Sequence, residues 1–181
     1  MPIPLHILKK GPQDLVDAMV ECHERIRHFT GVAKKIGAAR GAPPDQIVSA
    51  AADVQRYFRK GLPLHVEDEE RSVLPRLRGR SAEVDAALAT MEREHRDHEA
   101  PLARLLALMD QLVASPASHA RLADDVAARA AELDALFEAH LVAEEKQLFP
   151  SLRTLLSPAE QAAIQAELRA RRAPLPPGVA R

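Results

Sequence analysis

The stretch His65-Val-Glu-Asp-Glu69-Glu70-Arg-Ser-Val-Leu-Pro75 decides the fold of this chain, because it recurs as His140-Leu-Val-Ala-Glu144-Glu145-Lys-Gln-Leu-Phe-Pro150. Each copy is followed, at the same distance after its proline, by Leu-Arg. A histidine and a glutamate four residues apart lie on one face of a helix. The chain therefore carries the same pair of metal-binding side chains on two helical segments, which indicates a metal site.

Length and composition favour a single domain built from helices. The chain has 181 residues, of which 46% are hydrophobic, enough for a sizeable core and too many for a disordered chain. Aromatic residues make up only 3%, whereas alanine and leucine, which are good helix formers, are abundant. We therefore expect an all-α protein.

Charge and cysteine content narrow the partners and the chemistry. The 25 Lys+Arg nearly balance the 26 Asp+Glu, so the totals give no sign of a nucleic-acid partner. The amino terminus lacks a continuous apolar run, and no stretch of about 20 apolar residues occurs, so we expect a soluble, cytoplasmic protein with no membrane partner. Cys22 is the single cysteine, which excludes an internal disulfide and a thiolate-rich metal site.

Apolar residues recur at helical spacing in four segments, separated by turn-forming stretches at 37–44, 79–81 and 115–118. We predict helices from about Pro12 to Ile36, from Pro44 or Asp45 to about 74–78, from Ala82 to about Val113 and from about Ala117 to Leu155. Gly61 and Pro63 are expected to bend the second helix. Ser157-Pro158-Ala159-Glu160 predicts a capping box that opens a fifth helix ending near Arg171.

The predicted fold is an up-down-up-down four-helix bundle with a short C-terminal helix, because short connections join antiparallel neighbours. The bundle spans residues 12–155. An N-terminal extension at 1–11 precedes it, and the short helix and a flexible tail at 156–181 follow.

Counting along the predicted helices places four histidines in one layer of the bundle. Each lies roughly 15 to 21 Å from the same end of the bundle at 1.5 Å rise per residue. These histidines are His23, His65, His95 and His140. The glutamates one turn after the last three are Glu69, Glu99 and Glu144. Four imidazoles and three carboxylates are thus expected to converge.

Bound cations explain why carboxylates would face an apolar seam. A buried carboxylate costs several kcal/mol unless it is protonated or paired, and no lysine or arginine is available at each position. One divalent ion rarely uses seven protein ligands, whereas two ions bridged by carboxylates accommodate them. Imidazole and carboxylate without thiolate suit iron, manganese or zinc. We favour two non-haem iron ions.

These residues resemble the hemerythrin-like family of helical bundles, the HHE cation-binding domains. The usual pattern of that family is His, His-x3-Glu, His-x3-His and His-x4-Asp, and here it reads His23, His65-x3-Glu69, His95-x3-Glu99 and His140-x3-Glu144. Two departures matter: Glu99 replaces a histidine of the oxygen carriers, and Glu144 at plus four replaces an aspartate at plus five. Reversible oxygen carriage is therefore not the expected role.

The resemblance implies a role for each ligand. Glu69 and Glu144 would bridge two irons that also share an oxo or hydroxo group. One iron would be completed by His95, His140 and Glu99. The other, held by His23 and His65, would have fewer protein ligands and would be the open one.

The resemblance also implies a ligand class and several possible roles. The variant is similar to bacterial members associated with oxygen, peroxide, nitric oxide or iron, so the expected partner is a small diatomic or peroxide ligand. We expect redox chemistry, including a catalase-like, peroxide-detoxifying activity, because a third carboxylate stabilises the diferric state. The alternatives are a protein that senses oxygen, redox state or iron, and one that stores or delivers iron, both without turnover.

Four neighbours of the expected site keep two interpretations each. The phenol of Tyr57 could reach the open iron or a bound oxygen species, or simply pack. His98 could replace a ligand or hydrogen-bond to one. Glu70 and Glu145 point about 100° away from their neighbouring ligands and are expected to be solvated or paired with arginines. Cys22, beside His23, is a fifth such residue, because it could be a redox thiol, although a core residue is expected.

Overall fold

The computed structural model describes residues 14–173, and the regular structure of this part of the chain is entirely helical. Five helices follow one another: α1 (Leu15–Ala38), α2 (44–77), α3 (Ala82–Ala114), α4 (119–155) and α5 (Pro158–Arg172). A 3₁₀ turn, Pro116–Ser118, precedes α4. The predicted all-α helical bundle is confirmed. The extension predicted at 1–11 and the end of the predicted tail lie outside the described residues.

Side-chain caps set three of the helix starts. Asp14 accepts a hydrogen bond from the Asp17 amide at 2.8 Å and so caps α1 ahead of Leu15. The predicted start at about Pro12 lies outside the described residues. Ser81 caps α3 in the same way. The predicted capping box of Ser157 and Glu160 is present at the start of α5.

The first four helices pack as a ring in which α1 and α3 each contact both α2 and α4. Their apolar side chains form two separate clusters along the bundle. One cluster, near the 38–44 and 115–118 connections, includes Ile36, Ile47, Leu105, Met109 and Leu133. The other, which also holds the apolar face of α5, includes Leu15, Met19, Leu88, Leu152 and Ile164. The predicted ligand layer lies between the two.

Helices α2 and α4 are interrupted by wide π-helical turns. These turns are Tyr57–Gly61, Glu69–Val73 and Glu144–Leu148. Each ends two residues before a proline, and those prolines are Pro63, Pro75 and Pro150. A proline lacks an N–H, and its ring clashes with the carbonyl four residues earlier, so a wider turn relieves both problems. Pro101 lies inside regular α-helix, so proline alone does not determine the π turn.

Two of these π turns begin at the predicted ligands Glu69 and Glu144. Such turns occur mostly as single-turn insertions and often at functional sites. The sequence predicted a bend near Gly61 and an interruption at Pro75, and the structure shows a π turn at each place. At Gly61 a Cβ would lie 2.8 Å from the Tyr57 ring, so only glycine fits there without displacing that ring.

Helix α5 is joined to α2 by a polar network beside Glu69. Asp68 is fully buried and accepts hydrogen bonds from Arg171 at 2.8 Å and from Arg172 at 2.5 Å. The Ser72 hydroxyl donates to Glu167 and accepts from Arg171. The fifth helix therefore holds the part of α2 from which Glu69 projects.

Among residues 14–173, no helix is both long enough and apolar enough to cross a membrane.

Candidate metal centre

Six of the predicted ligands meet in the layer between the two apolar clusters. Helix α1 supplies one imidazole, α3 supplies another, and α2 and α4 each supply an imidazole and a carboxylate. The six residues are His23, His65, Glu69, His95, His140 and Glu144. Five of them are buried, and the His95 side chain is 8% exposed. The structure therefore brings together six of the seven residues that depth counting along the helices selected.

The two carboxylate oxygens of Glu69 face histidines on two different helices. Its Oε1 lies 3.2 Å from Nε2 of His65 on the same helix, and its Oε2 lies 3.3 Å from Nε2 of His95 on α3. The His-x3-Glu spacing produces the first contact, and the packing of α2 against α3 produces the second. One carboxylate thus faces two imidazoles from different sides.

Glu144 repeats this arrangement across the bundle. Its Oε1 lies 3.2 Å from Nε2 of His140, and its Oε2 lies 3.1 Å from Nε2 of His23 on α1. The two carboxylates together place oxygens beside all four imidazoles. The possible metal-binding atoms form two sets, and within each set all atoms lie within 4.8 Å of one another. The first set comes from His23, His65, Glu69 and Glu144, and the second from His95, His140 and Glu144.

Most of the nitrogens and oxygens that face one another in this layer make no hydrogen bond. Within residues 14–173, the buried side-chain nitrogens and oxygens without a hydrogen-bond partner all belong to five of the six residues. They include the Nε2 atoms of His23, His65 and His95 and both oxygens of each carboxylate. A buried polar atom left unpaired costs about 1–3 kcal/mol. A cation between the imidazoles and carboxylates would satisfy these atoms, so the donor set fits a metal.

Three of the four imidazoles donate a hydrogen bond from Nδ1 to an outer carboxylate. The pairs are His23 with Glu145 at 2.8 Å, His95 with Glu70 at 3.2 Å and His140 with Glu94 at 2.9 Å. Such a bond fixes the proton on Nδ1 and leaves Nε2 free to bind a metal. In each case Nε2 is the nitrogen that faces Glu69 or Glu144.

The sequence interpretation missed the function of these outer carboxylates. Glu145 does pair with Arg27 at 2.8 Å, as expected of a glutamate near arginines, but it also holds His23. Glu70 was expected to be solvated or paired with an arginine, and Glu94 was not singled out. A glutamate directly beside three of the predicted ligands, in Glu69-Glu70, Glu94-His95 and Glu144-Glu145, was the available signal.

The electrostatics of the cluster show four imidazoles and two carboxylates competing for protons. Burial, reinforced by the charge of His23, lowers the pKa of His65 to about 3. Burial would also lower the pKa of His95, but the nearby carboxylates of Glu69 and Glu70 outweigh that effect and raise the pKa to about 9. Burial and the charge of Glu144 raise the pKa of Glu69.

Glu99, the seventh predicted ligand, is exposed and belongs to neither set of donors. It lines a cavity that reaches the centre. His98 occupies the buried position next to it, with its ring 5.0 Å from the His140 ring and 4.9 Å from the Phe137 ring. The structure therefore brings His98, and not Glu99, against the cluster.

Tyr57 and Cys22 lie beside the centre without joining either set of donors. The Tyr57 ring stacks on Phe29 at 4.3 Å, and its hydroxyl lies 3.5 Å from the backbone carbonyl of Cys22. Burial raises the pKa values of the Tyr57 phenol and the Cys22 thiol. The packing interpretation of Tyr57 and the core interpretation of Cys22 therefore fit the structure.

A cavity of about 400 Å³ opens on one side of the cluster, between α2 and α3. His65, His95, His98 and His140 all line it. The open position was expected at His23 and His65. His23 is fully buried, whereas His65 from one set and His95 and His140 from the other line the cavity, so the cavity reaches both sets of donors.

Comparison with known proteins gives one family match. The hemerythrin HHE cation-binding domain matches residues 14–152, which include α1 to α3, nearly all of α4 and all six clustered residues. No curated protein matches the chain. Helix α5, at Pro158–Arg172, lies beyond the matched range.

Proposed function

Because the chain belongs to the hemerythrin HHE cation-binding domain family and so binds a metal cation, we propose that it is a di-iron protein that reacts with oxygen, peroxide or nitric oxide. The observation that carries this proposal is the division of each buried carboxylate between two imidazoles of different helices. Peroxide detoxification in the cytoplasm is the physiological role that we propose.

Two ions account for the donor geometry better than one. Glu69 and Glu144 each turn one oxygen toward each side of the layer, so each carboxylate suits a bridge between neighbouring ions. When metal binding deprotonates both carboxylates, their negative charges lie close together and are both buried. Two cations between them would offset both the repulsion and the loss of hydration.

Iron accounts for the type of donors and for the proposed reactivity. Imidazole and carboxylate without thiolate are ligands that suit non-haem iron, and manganese and zinc share this preference. Two neighbouring irons can together supply the two electrons needed to reduce oxygen to peroxide or to cleave peroxide. An oxo or hydroxo bridge between them completes the proposed cofactor.

The protein's own side chains would prepare the site for this chemistry. Glu145, Glu70 and Glu94 keep protons on Nδ1 of their histidines and so orient Nε2 toward the metals. The apolar clusters on either side of the layer exclude bulk water from the carboxylates. The cavity between α2 and α3 admits a small oxidant to the side formed by His95 and His140.

Glu99 remains a proposed ligand of the ion near His95. Its donors would be His95, His140 and one oxygen each of Glu144 and Glu69. Glu99 lines the cavity on which this side opens. A further oxygen from the cavity wall would add to this incomplete set of donors. The sensing and the iron storage or delivery hypotheses require the same centre and differ only in whether substrate is turned over.

Turnover with peroxide tests the proposal. The metal-free protein is loaded with Fe(II) without oxygen, exposed to air and then to hydrogen peroxide, while absorption spectra and oxygen evolution are recorded. We expect bound iron, an absorption change on oxidation and repeated peroxide consumption. The variant Glu144→Gln serves as the ligand-deficient form and Glu138→Gln as the surface control. A stable, reversible oxygen adduct without peroxide turnover would contradict the proposal.

A further inference from the structure

The cavity beside the centre is much larger than an oxygen or peroxide molecule requires. Its volume is about 400 Å³, whereas one water molecule takes a share of about 30 Å³ in the liquid. Pockets that bind organic ligands occupy roughly 300–1,000 Å³. The cavity therefore has the size of a site for a small organic molecule.

The interior of the cavity is apolar on both sides. Its walls include Phe58 and Leu62 from α2, Leu102 from α3 and Phe137 from α4. Phe58, Leu62 and Phe137 also belong to the apolar cluster that borders the metal layer. A hydrocarbon group placed here would contact side chains of the same polarity as itself and would leave water, which is favourable.

The inner end and the rim differ from these walls. At the inner end the cavity reaches the imidazoles of His65, His95 and His140. At the rim Arg71 pairs with Glu67 at 2.8 Å, and Glu70 lies 3.2 Å from Nδ1 of His95. Arg96 and Glu99 add one exposed charge of each sign. Because the rim carries both signs, it does not select an ion by its net charge. The polar end of a ligand would instead lie at the imidazoles.

We propose that this cavity binds a neutral organic molecule with a hydrocarbon body and one terminal hydroxyl or hydroperoxyl group. The hydrocarbon lies among Phe58, Leu62, Leu102 and Phe137, and the oxygen end lies beside His95 and His140. A body of roughly ten non-hydrogen atoms fits the volume. This assignment deepens the proposed function, on which it rests, by naming organic hydroperoxides and their alcohols as the ligand class of the same site.

A direct binding measurement tests the assignment without relying on turnover. The probe is 2-phenyl-2-propanol, an unreactive alcohol with an apolar body. It is titrated into zinc-loaded and metal-free protein while the amide signals are followed by NMR. Leu102→Trp fills the cavity from α3, and Val66→Trp fills it from α2. Leu106→Trp is the matched control, because Leu106 is half-buried one turn further along α3 and does not line the cavity.

We expect saturable binding that Leu102→Trp and Val66→Trp each weaken by about tenfold or more, while Leu106→Trp leaves it nearly unchanged. Absence of saturable binding at about 10 mM alcohol, or equal binding by all variants, would overturn the assignment. Binding of the alcohol to the metal-free protein tests the cavity assignment separately from the di-iron proposal. If metal does not bind but the alcohol still does, the di-iron proposal fails and the cavity assignment stands.

Discussion

Nη2 of Arg172 lies 2.5 Å from Oδ2 of Asp68, so the last described helix holds the residue that directly precedes Glu69. Asp68 is fully buried, and Arg171 is its second partner. A buried carboxylate needs such partners to remain charged. Helix α5, which lies beyond the matched family domain, therefore supports the metal-facing part of α2.

Replacement of Arg172 should destabilise the protein. In Arg172→Ala, Asp68 keeps one arginine but loses a charged hydrogen bond, so we expect the free energy of unfolding to fall by about 1–3 kcal/mol. Chemical denaturation of the metal-free protein measures this change. Arg169→Ala, an exposed arginine on the same helix, is the control and should change the stability little. Equal effects of the two substitutions would show that the contact to Asp68 does not stabilise the fold.

The outer carboxylate of His23 should set metal affinity. Glu145→Gln weakens the hydrogen bond that orients this imidazole, and we expect metal affinity to fall about 10- to 100-fold. Glu138→Gln is a matched control, since Glu138 also pairs with Arg27 but contacts no ligand histidine in the pairs described above. Competition with a chelator measures both affinities. The role of Glu145 would be refuted by an affinity equal to that of Glu138→Gln.

Metal binding should release protons. In the metal-free protein the carboxylates of Glu69 and Glu70 raise the pKa of His95, and burial raises the pKa of Glu69, so near pH 7 the His95–Glu69 pair holds at least one proton that a metal must displace. Metal affinity should therefore rise from pH 6 to pH 8. Calorimetric titration in buffers of different ionisation enthalpy counts the protons. A binding heat independent of the buffer would contradict these protonation states.

Bound metal should stabilise the fold. The unpartnered donor atoms are buried in the native state and become hydrated on unfolding, so a cation binds the native form preferentially. At a free metal concentration 100 times Kd we expect about 2.7 kcal/mol of added stability. Thermal melting with and without Fe(II) measures the shift in Tm. The same Tm in both conditions would argue against the site.

The contribution of Glu99 can be separated from that of the six clustered residues. If Glu99 turns inward to bind, Glu99→Gln should weaken the ion near His95 and leave the other ion in place. Metal content and the absorption spectrum of the oxidised protein report both effects. Arg96→Gln, also at the cavity rim, is the control. An unchanged metal content and spectrum would remove Glu99 from the ligand set.

The sequence predicted the ligand layer because depth along a helix depends only on residue count. It could not fix the direction of side chains on α3. Along a helix with 3.6 residues per turn, the next residue on the buried face lies either three or four positions further on. From the sequence, the buried face of α3 was expected to continue from His95 to Glu99 and Leu106. The buried seam continues instead through His98 and Leu105. Only packing against α2 and α4 decides between the two.

The π turns and the role of the outer carboxylates also could not be predicted from the sequence. A proline two residues after a turn is compatible with a π turn or with an ordinary helix, as Pro101 shows. Whether Glu94 reaches Nδ1 of His140 depends on how α3 and α4 are rotated against each other. Both features depend on tertiary contacts, whereas the repeated His-x3-Glu pair is local and was readable.

The position of bound iron tests the central claim most directly. Crystals of the Fe(II)-loaded protein, measured at the iron absorption edge, would locate each ion in an anomalous difference map. We predict two peaks about 3.5–4 Å apart. Each should contact one oxygen of Glu69 and one of Glu144, with His23 and His65 on one ion and His95 and His140 on the other. A single peak, or iron bound away from these residues, would contradict the account.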